Sequence, residues 1–575
     1  GLSRAKLSRL ATMLELRSRQ VLGTLVLVAV AAVTLVVAPY TLFDPMALPK
    51  LVVLAFLAIV ALSLIAPALK SLFTSYYKTL AILTSLFVFQ IFLVMLFSGA
   101  NITSQFLGTY QRQTGALTYI CLAILMLSAS LVSDSDFLKR FIRITLVVGI
   151  ILIVYGNLQY LGLEPFPYVN AYTVNAPIGT FGNSNFQSAF MGLIAVVSFT
   201  MVLNKAFKSS IKIGSALVGV ASLIVVYETL STQGYLNFVA GIGAVIILWL
   251  FMNKRKTLGL TVSGFGAFGA VLTFLGLTNS GPLASFLYSG SLEARGYYWR
   301  AAIKMVIDHP IFGVGMDGYG DWFFRTRDAD YAAKNFFSAA NSAHNVYLDI
   351  ASNGGFPLLA IYLAIVAVVI VSIIKVIKRS EGFDVYFAAL VGAWVAYQAQ
   401  AFISVNQIGL AIWAWVLSGL IIGYEINTRV KEEDRLVPVK AKQHSKKVKS
   451  QAQPLSSRVV ISLFVGVLVG AIVAGPIYFS NSRFYAAIKA NDFAGVESAA
   501  YLKPQDERRL FMLAGIYRNA KMDVDAVKVL REATATYPDS YDMWNLWLTI
   551  PTATPSDIAY AKAQLKRLDP FNPDL

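Results

Sequence analysis

Apolar residues run through this chain in long blocks, separated by short polar stretches in which Lys and Arg recur. The blocks lie near 21–40, 51–67, 79–98, 116–133, 141–161, 186–203, 213–230, 235–252, 258–278, 356–378, 386–404, 408–424 and 459–479. A block of about 20 residues crosses a hydrocarbon core about 30 Å thick as a helix. The pattern therefore predicts an all-α, polytopic membrane bundle of twelve or thirteen spans. The second, eleventh and twelfth blocks are short, so their ends are the softest.

The polar stretches fix an orientation, because loops on the cytoplasmic side collect Lys and Arg. The N-terminal segment carries Arg4, Lys6, Arg9, Arg17 and Arg19. With that end inside, the later inside loops hold Lys70 and Lys78; Lys139, Arg140 and Arg143; Lys205, Lys208 and Lys212; Lys254, Arg255 and Lys256; and Lys375, Lys378 and Arg379. The outside loops before residue 279 hold only Lys50 and Arg112. Every loop agrees. The expected place is the bacterial cytoplasmic (inner) membrane, with the long loop 279–355 and the tail 480–575 on the extracytoplasmic side.

Composition supports a bilayer as the solvent. Of 575 residues, 57% are hydrophobic and only 14% charged, with mean hydropathy +0.63, whereas soluble domains carry about 25% charged residues. The net charge of +17 sits in short loops, so it is a topology signal and not a nucleic-acid one. The single Cys121 lies inside an apolar block, which leaves no disulfide framework to read. No cleavable leader is expected, since the first block is followed by further spans; the start at Gly1 points to processing or to an artificial N-terminal scar.

Four regions follow. Residues 1–425 form the membrane-embedded domain, and 426–458, rich in Lys with Pro438 and Pro454, reads as a cytoplasmic basic linker. One additional transmembrane helix spans 459–479. The segment 480–575 reads as a helical domain. Its Pro504, Pro538 and Pro570 close amphipathic stretches at near-regular spacing, such as Ala526–Tyr537 and Tyr560–Asp569, a period that fits tetratricopeptide-type helix pairs. Such pairs offer a docking surface for a protein partner; a plain helical cap fits as well.

Charged residues inside spans mark ion or proton pathways, and the spans here hold almost none, which argues against an ion-coupled transporter. Polar residues collect instead in three outer clusters. The first is the loop around Arg112 (107–115). The second is the Gly- and amide-rich segment 179–187, with Asn185. The third comprises Arg295 to Arg300, His309 to Gly318, Ala343-His344-Asn345-Val-Tyr347-Leu348, and Asn353-Gly-Gly-Phe356. Imidazole can take a proton from a hydroxyl near neutral pH, so His344 is either a general base or an ordinary loop residue. Guanidinium groups such as Arg295 and Arg300 clamp phosphates through paired donors, or they simply face solvent. The glycines around 313–320 read as turns. No metal-ligand spacing occurs, and His309 and His444 read as structural and linker residues.

The run Arg295-x-x-Tyr-Trp299, Asp308-His-Pro-x-x-Gly313-Val-Gly315, Ala343-His-Asn345-x-Tyr347-Leu348 and Gly354-Gly-Phe356 resembles the O-antigen ligase and O-antigen polymerase superfamily. The segment Gly182-Asn-Ser-Asn185 and the loop Gly108…Arg112…Gly115 are similar too, so the resemblance covers about residues 20–425. It implies a glycan donor on a polyprenyl diphosphate, an acceptor hydroxyl on a glycan, lipid or protein, and no metal or cofactor. Carried over, Arg295 holds the diphosphate, His344 is the base and Asn345 orients the loop; Asn185 and Tyr347 belong to the substrate-binding set. This chain departs from the family at Ser231-Thr-Gln233-Gly234, where an Arg commonly stands at the Gln233 position. A second cation then comes from Arg300 or Arg112. The implied reaction is an inverting, metal-independent glycosyl transfer that assembles surface polysaccharide, by ligase or polymerase. Transfer to protein, or a non-enzymatic role as lipid-linked glycan transporter or scaffold, are the alternatives.

Overall fold

The computed structural model describes residues 14, 16–166, 176–287, 291–334, 339–436, 455–572 and 575. Arg4, Lys6, Arg9, His444 and most of the expected linker lie outside the described residues. Among the described residues every regular element is helical. Each of the thirteen blocks forms a helix: α1 (Leu16–Leu35), α2 (Ala47–Ile65), α3 (Lys78–Phe97), α4 (Ala116–Val132), α5 (Ser135–Tyr160), α6 (Ser184–Val202), α7 (Ser209–Glu228), α8 (Gln233–Met252) and α9 (Lys256–Leu277) precede the long loop. Within the loop lies α10 (Ser291–Asp308), and after it come α11 (Val346–Arg379), α12 (Val385–Ala401), α13 (Ile408–Leu436) and α14 (Ser457–Lys489). Eleven of the helices are long and apolar enough to cross a membrane. The other two, α4 and α12, have 17 residues each, at the short end of spanning length. The chain is a multi-pass membrane protein.

The packing surrounds α13, whose membrane-crossing stretch is 94% buried. It lies against α4, α12, α11 and α1, while α6 packs on α7, α8 and α12. Polar ties within this interior satisfy the few side chains that need them: Trp413 donates its indole N–H to Thr34 Oγ1 at 2.9 Å, and Trp394 donates to Ser418 Oγ at 2.9 Å. At the other extreme, α9 is almost wholly uncovered and presents Phe265, Phe268 and Phe274 outward. In water such a face would be an aggregation site; in lipid it is solvated.

Two charges depart from the loop reading. Lys50 lies inside α2, fully buried, and donates to the carbonyls of Val33, Thr34 and Val36 at 2.8–3.1 Å. Those carbonyls end α1 without helical partners, so the ammonium caps a neighbouring helix and is no outside-loop marker. Glu425, near the end of the last predicted block of the membrane domain, pairs with Arg379 and Arg429. Helix α13 also runs on to Leu436, through the start of the expected linker. Likewise α14 continues past 479 to Lys489; its 33 residues make a rod of about 50 Å at 1.5 Å per residue, longer than the apolar core it crosses.

The tail consists of α15 (Phe493–Ala500), α16 (Glu507–Asn519), α17 (Asp523–Thr536), α18 (Tyr541–Trp547) and α19 (Pro555–Leu568) around its own apolar core. It docks on the membrane domain. Arg327 of the long loop pairs with Asp569 at 2.9 and 3.0 Å, both nearly inaccessible to solvent. Arg325 reaches Asp539 at 2.8 Å, and Asn101 donates to Thr536 O at 3.1 Å.

Candidate active site

The ion pairs of Arg19, Arg379 and Glu425 mark one end of the bundle. At the opposite end a cavity of about 660 Å³ opens between the helix ends. Its wall brings together five residues singled out in the sequence: Arg112, Asn185, Gln233, Arg295 and His344. They come from four separate connections of the chain, and local geometry places each one.

His344 sits at the foot of α11 in a left-handed conformation, φ +53°, which His tolerates better than most residues. The next residue, Asn345, holds the turn. Its Oδ1 accepts from Tyr347 N at 3.0 Å and Leu348 N at 3.1 Å, an N-cap, and its Nδ2 donates to Phe402 O at 3.1 Å. The imidazole Nδ1 lies 3.2 Å from Ser342 O. A carbonyl only accepts, so Nδ1 carries the proton and Nε2 keeps the lone pair. The Tyr298 ring lies 5.4 Å away on one side. Burial, then the charges of Arg112 and Arg295, lower the imidazole from 6.5 to about 3, so the ring is neutral at physiological pH.

Sequence reasoning assigned no part to Asp349, which supports this turn from beneath. Its carboxylate accepts from Ala343 N at 2.7 Å and from Ser342 Oγ at 2.8 Å, and Ser342 Oγ accepts from His344 N at 2.9 Å. Asp349 falls one helical turn after Asn345, an N-terminal acid position that the pattern could have flagged.

Arg295 projects from α10 with 9% of its surface exposed. No carboxylate of the described residues pairs with it. A buried guanidinium stays charged, and burial without a counter-charge is costly, so the chemistry of the position suits an anion. Arg112 donates to Asn341 Oδ1. Its loop is pinned by Asp317, which accepts from Thr109 N at 2.6 Å and Thr114 Oγ1 at 3.1 Å; this is what the glycine-rich run 313–318 contributes. Burial raises the Asp317 carboxyl, while these bonds and Arg112 pull it down.

Gln233 opens α8 and is buried, with its Oε1 lacking a hydrogen-bond partner. It reaches the cavity because α6 and α8 touch at Gly234, where a Cβ would stand 2.5 Å from Ser188 O. Small residues permit such close helix approach in membranes. Asn185 lies in the first turn of α6, capped by Asn183 at 2.8 Å.

Two expected site residues are elsewhere. Arg300 is five residues after Arg295, about 140° around a helix turning 100° per residue. It faces Asp328 and the Tyr297 ring and does not line the cavity. The Tyr347 hydroxyl donates to Gln398 Oε1, and its ring stacks on Phe402 at 4.8 Å, tying α11 to α12. Residues no motif suggested do line the cavity, among them Asp44, Lys489 and Arg508. Asp44 is already engaged by the amides of Met46, Ala47 and Leu48 at 2.9–3.3 Å. Among the described residues no group of His, Cys, Asp and Glu is placed to hold a metal ion, and the donors here suit an anion.

Fold and cavity together define a class: a multi-pass helical membrane protein with a cationic, histidine-bearing chamber at one end of its bundle. The O-antigen ligase family model matches residues 217–363, and that match supports the likeness of this segment to the O-antigen ligase and polymerase superfamily. The matched stretch contains Gln233, Arg295, His344 and Asn345, while Arg112 and Asn185 precede it. No curated protein matches the chain.

Proposed function

We propose that this protein transfers a glycan from a polyprenyl-diphosphate donor to an acceptor hydroxyl, on the extracytoplasmic side of the inner membrane. The observation that carries the reading is the pairing, in one cavity wall, of a buried guanidinium that no carboxylate of the described residues pairs with and a neutral imidazole with a free lone pair. The distribution of Lys and Arg among the loops supports the sidedness.

In the proposed step the donor enters from the lipid with its prenyl chain among the spans. Arg295 and Arg112 hold the diphosphate. The acceptor oxygen bonds to the anomeric carbon from the face opposite the diphosphate, inverting it, while the carbon–oxygen bond to the diphosphate breaks with both electrons on the leaving oxygen. The acceptor proton passes to His344 Nε2. Both arginines depress the imidazole; a bound diphosphate offsets them and strengthens the base when it is needed. Asn345 and Asp349 position that base, and no metal takes part.

The acceptor is a sugar, lipid or protein hydroxyl. The tail, read as tetratricopeptide-like helix pairs, gives a protein partner a place to dock. The test is turnover: purified protein with a polyprenyl-diphosphate glycan and acceptor should release polyprenyl diphosphate and extend the acceptor. His344→Ala should slow this about 10²–10⁴-fold, with Arg295→Ala also impaired. If both variants fold and turn over at the wild-type rate, the assignment is wrong.

A further inference from the structure

We propose that the C-terminal tail completes the donor site: Lys489 and Arg508 bind the diphosphate and supply charge that Gln233 does not. The inference rests on the donor reading above. Helix α14 leaves the apolar layer without a break and delivers Lys489, at its last turn, to the cavity wall, while Arg508 comes from the first turn of α16. Neither residue belongs to the membrane domain, yet both share the wall with Arg112 and Arg295.

The chemistry of the two side chains fits an anion. The Arg508 guanidinium lies 5.1 Å from the Tyr110 ring and 5.0 Å from the Phe511 ring. Stacking fixes the plane of a guanidinium while its N–H edge stays open for donation. Its Nε is buried with no hydrogen-bond partner. Two acids precede it in the chain: Asp506 accepts from the Arg508 backbone N–H at 2.8 Å and lies beside the charges of Arg509 and Arg508, while the adjacent Glu507 bonds to the Ser540 side chain. Among the described residues no carboxylate forms an ion pair with Arg508 or Lys489. The Lys489 ammonium stands 5.6 Å from the Tyr485 ring, exposed and able to swing into the cavity. Among the described residues the only carboxylate on the wall, Asp44, is already bound by three backbone amides. The chamber is therefore strongly cationic, and half of its cations come from the tail.

The experiment is direct binding of polyprenyl diphosphate, carrying no sugar, to the full chain in detergent, with polyprenyl monophosphate as comparison. Lys489→Ala and Arg508→Ala should each weaken diphosphate binding about tenfold, as loss of a hydrogen bond to a charged group does, and the double variant more. Arg508→Lys should recover part of the loss. Arg531→Ala, a tail cation paired with Asp557 outside the cavity, should bind like wild type. Lys489 is exposed, so its truncation leaves the packing intact and reads charge even where Arg508→Ala loosens the tail. If wild type binds and both Lys489→Ala and the folded double variant bind equally well, this inference fails alone. If wild type does not bind the lipid diphosphate, the donor reading fails and takes the inference with it.

Discussion

Replacing Asp569 by Asn removes the carboxylate that faces Arg327 across the contact between the long loop and the tail. The pair has side-chain exposures of 0% and 2%, and two hydrogen bonds join it at 2.9 and 3.0 Å. Burial raises the Asp569 carboxyl more than Arg327 lowers it. Desolvation therefore outweighs the attraction, and the pair matters because neither charge is left alone. Removing one member of such a pair costs about 3–5 kcal/mol, whereas replacing both by apolar residues is often neutral. Asp569→Asn should thus loosen the docked tail by that amount, and Arg327→Met with Asp569→Leu should restore most of it. Hydrogen exchange of α19 in the intact protein reads the opening directly, with thermal unfolding as the global check. A single variant that exchanges as slowly as wild type, or no faster than the double variant, would refute the account of how the tail is held.

Further predictions concern the site. Because the free-protein imidazole is lowered to about 3, kcat/KM for the donor should show no acid limb from His344 between pH 8 and 5; a limb near 6.5 would contradict the environment described. The same shift has a stability sign: between about 6.5 and about 3 only the unfolded state takes up the proton, so the contribution of His344 to stability falls as pH drops through that window. Asn345→Ala should cost about 0.5–2 kcal/mol through the lost cap and lower turnover through a misplaced His344, measured by thermal unfolding and initial rates; an unchanged rate would separate Asn345 from the site. Gly234→Ala puts a methyl group 2.5 Å from Ser188 O and should destabilise by about 1–3 kcal/mol. Unaltered stability there would show that α6 and α8 can part without cost.

Much of the candidate site was legible because its residues flank the apolar blocks. Each block is a local pattern, so span positions follow from hydropathy, and polar residues at the block ends fall at the ends of helices. That is how Arg112, Asn185, Gln233, Arg295 and His344 could be named before their meeting in one cavity was visible. Arg300 shared the motif with Arg295, but five residues of helix rotate it onto another face. Lys50 had the composition of a loop charge, and only the unpaired carbonyls at the end of α1 explain why it lies buried in α2.

The sequence by itself determined the membrane-spanning architecture and the likeness of residues 217–363 to the O-antigen ligase family, since both rest on local runs of residues. The tertiary structure alone decided which cations meet. Lys489 and Arg508 reach the chamber through the long reach of α14 and the buried contacts that dock the tail. Such contacts join residues hundreds of positions apart, as Arg327 and Asp569 do, and no periodicity along the chain records them.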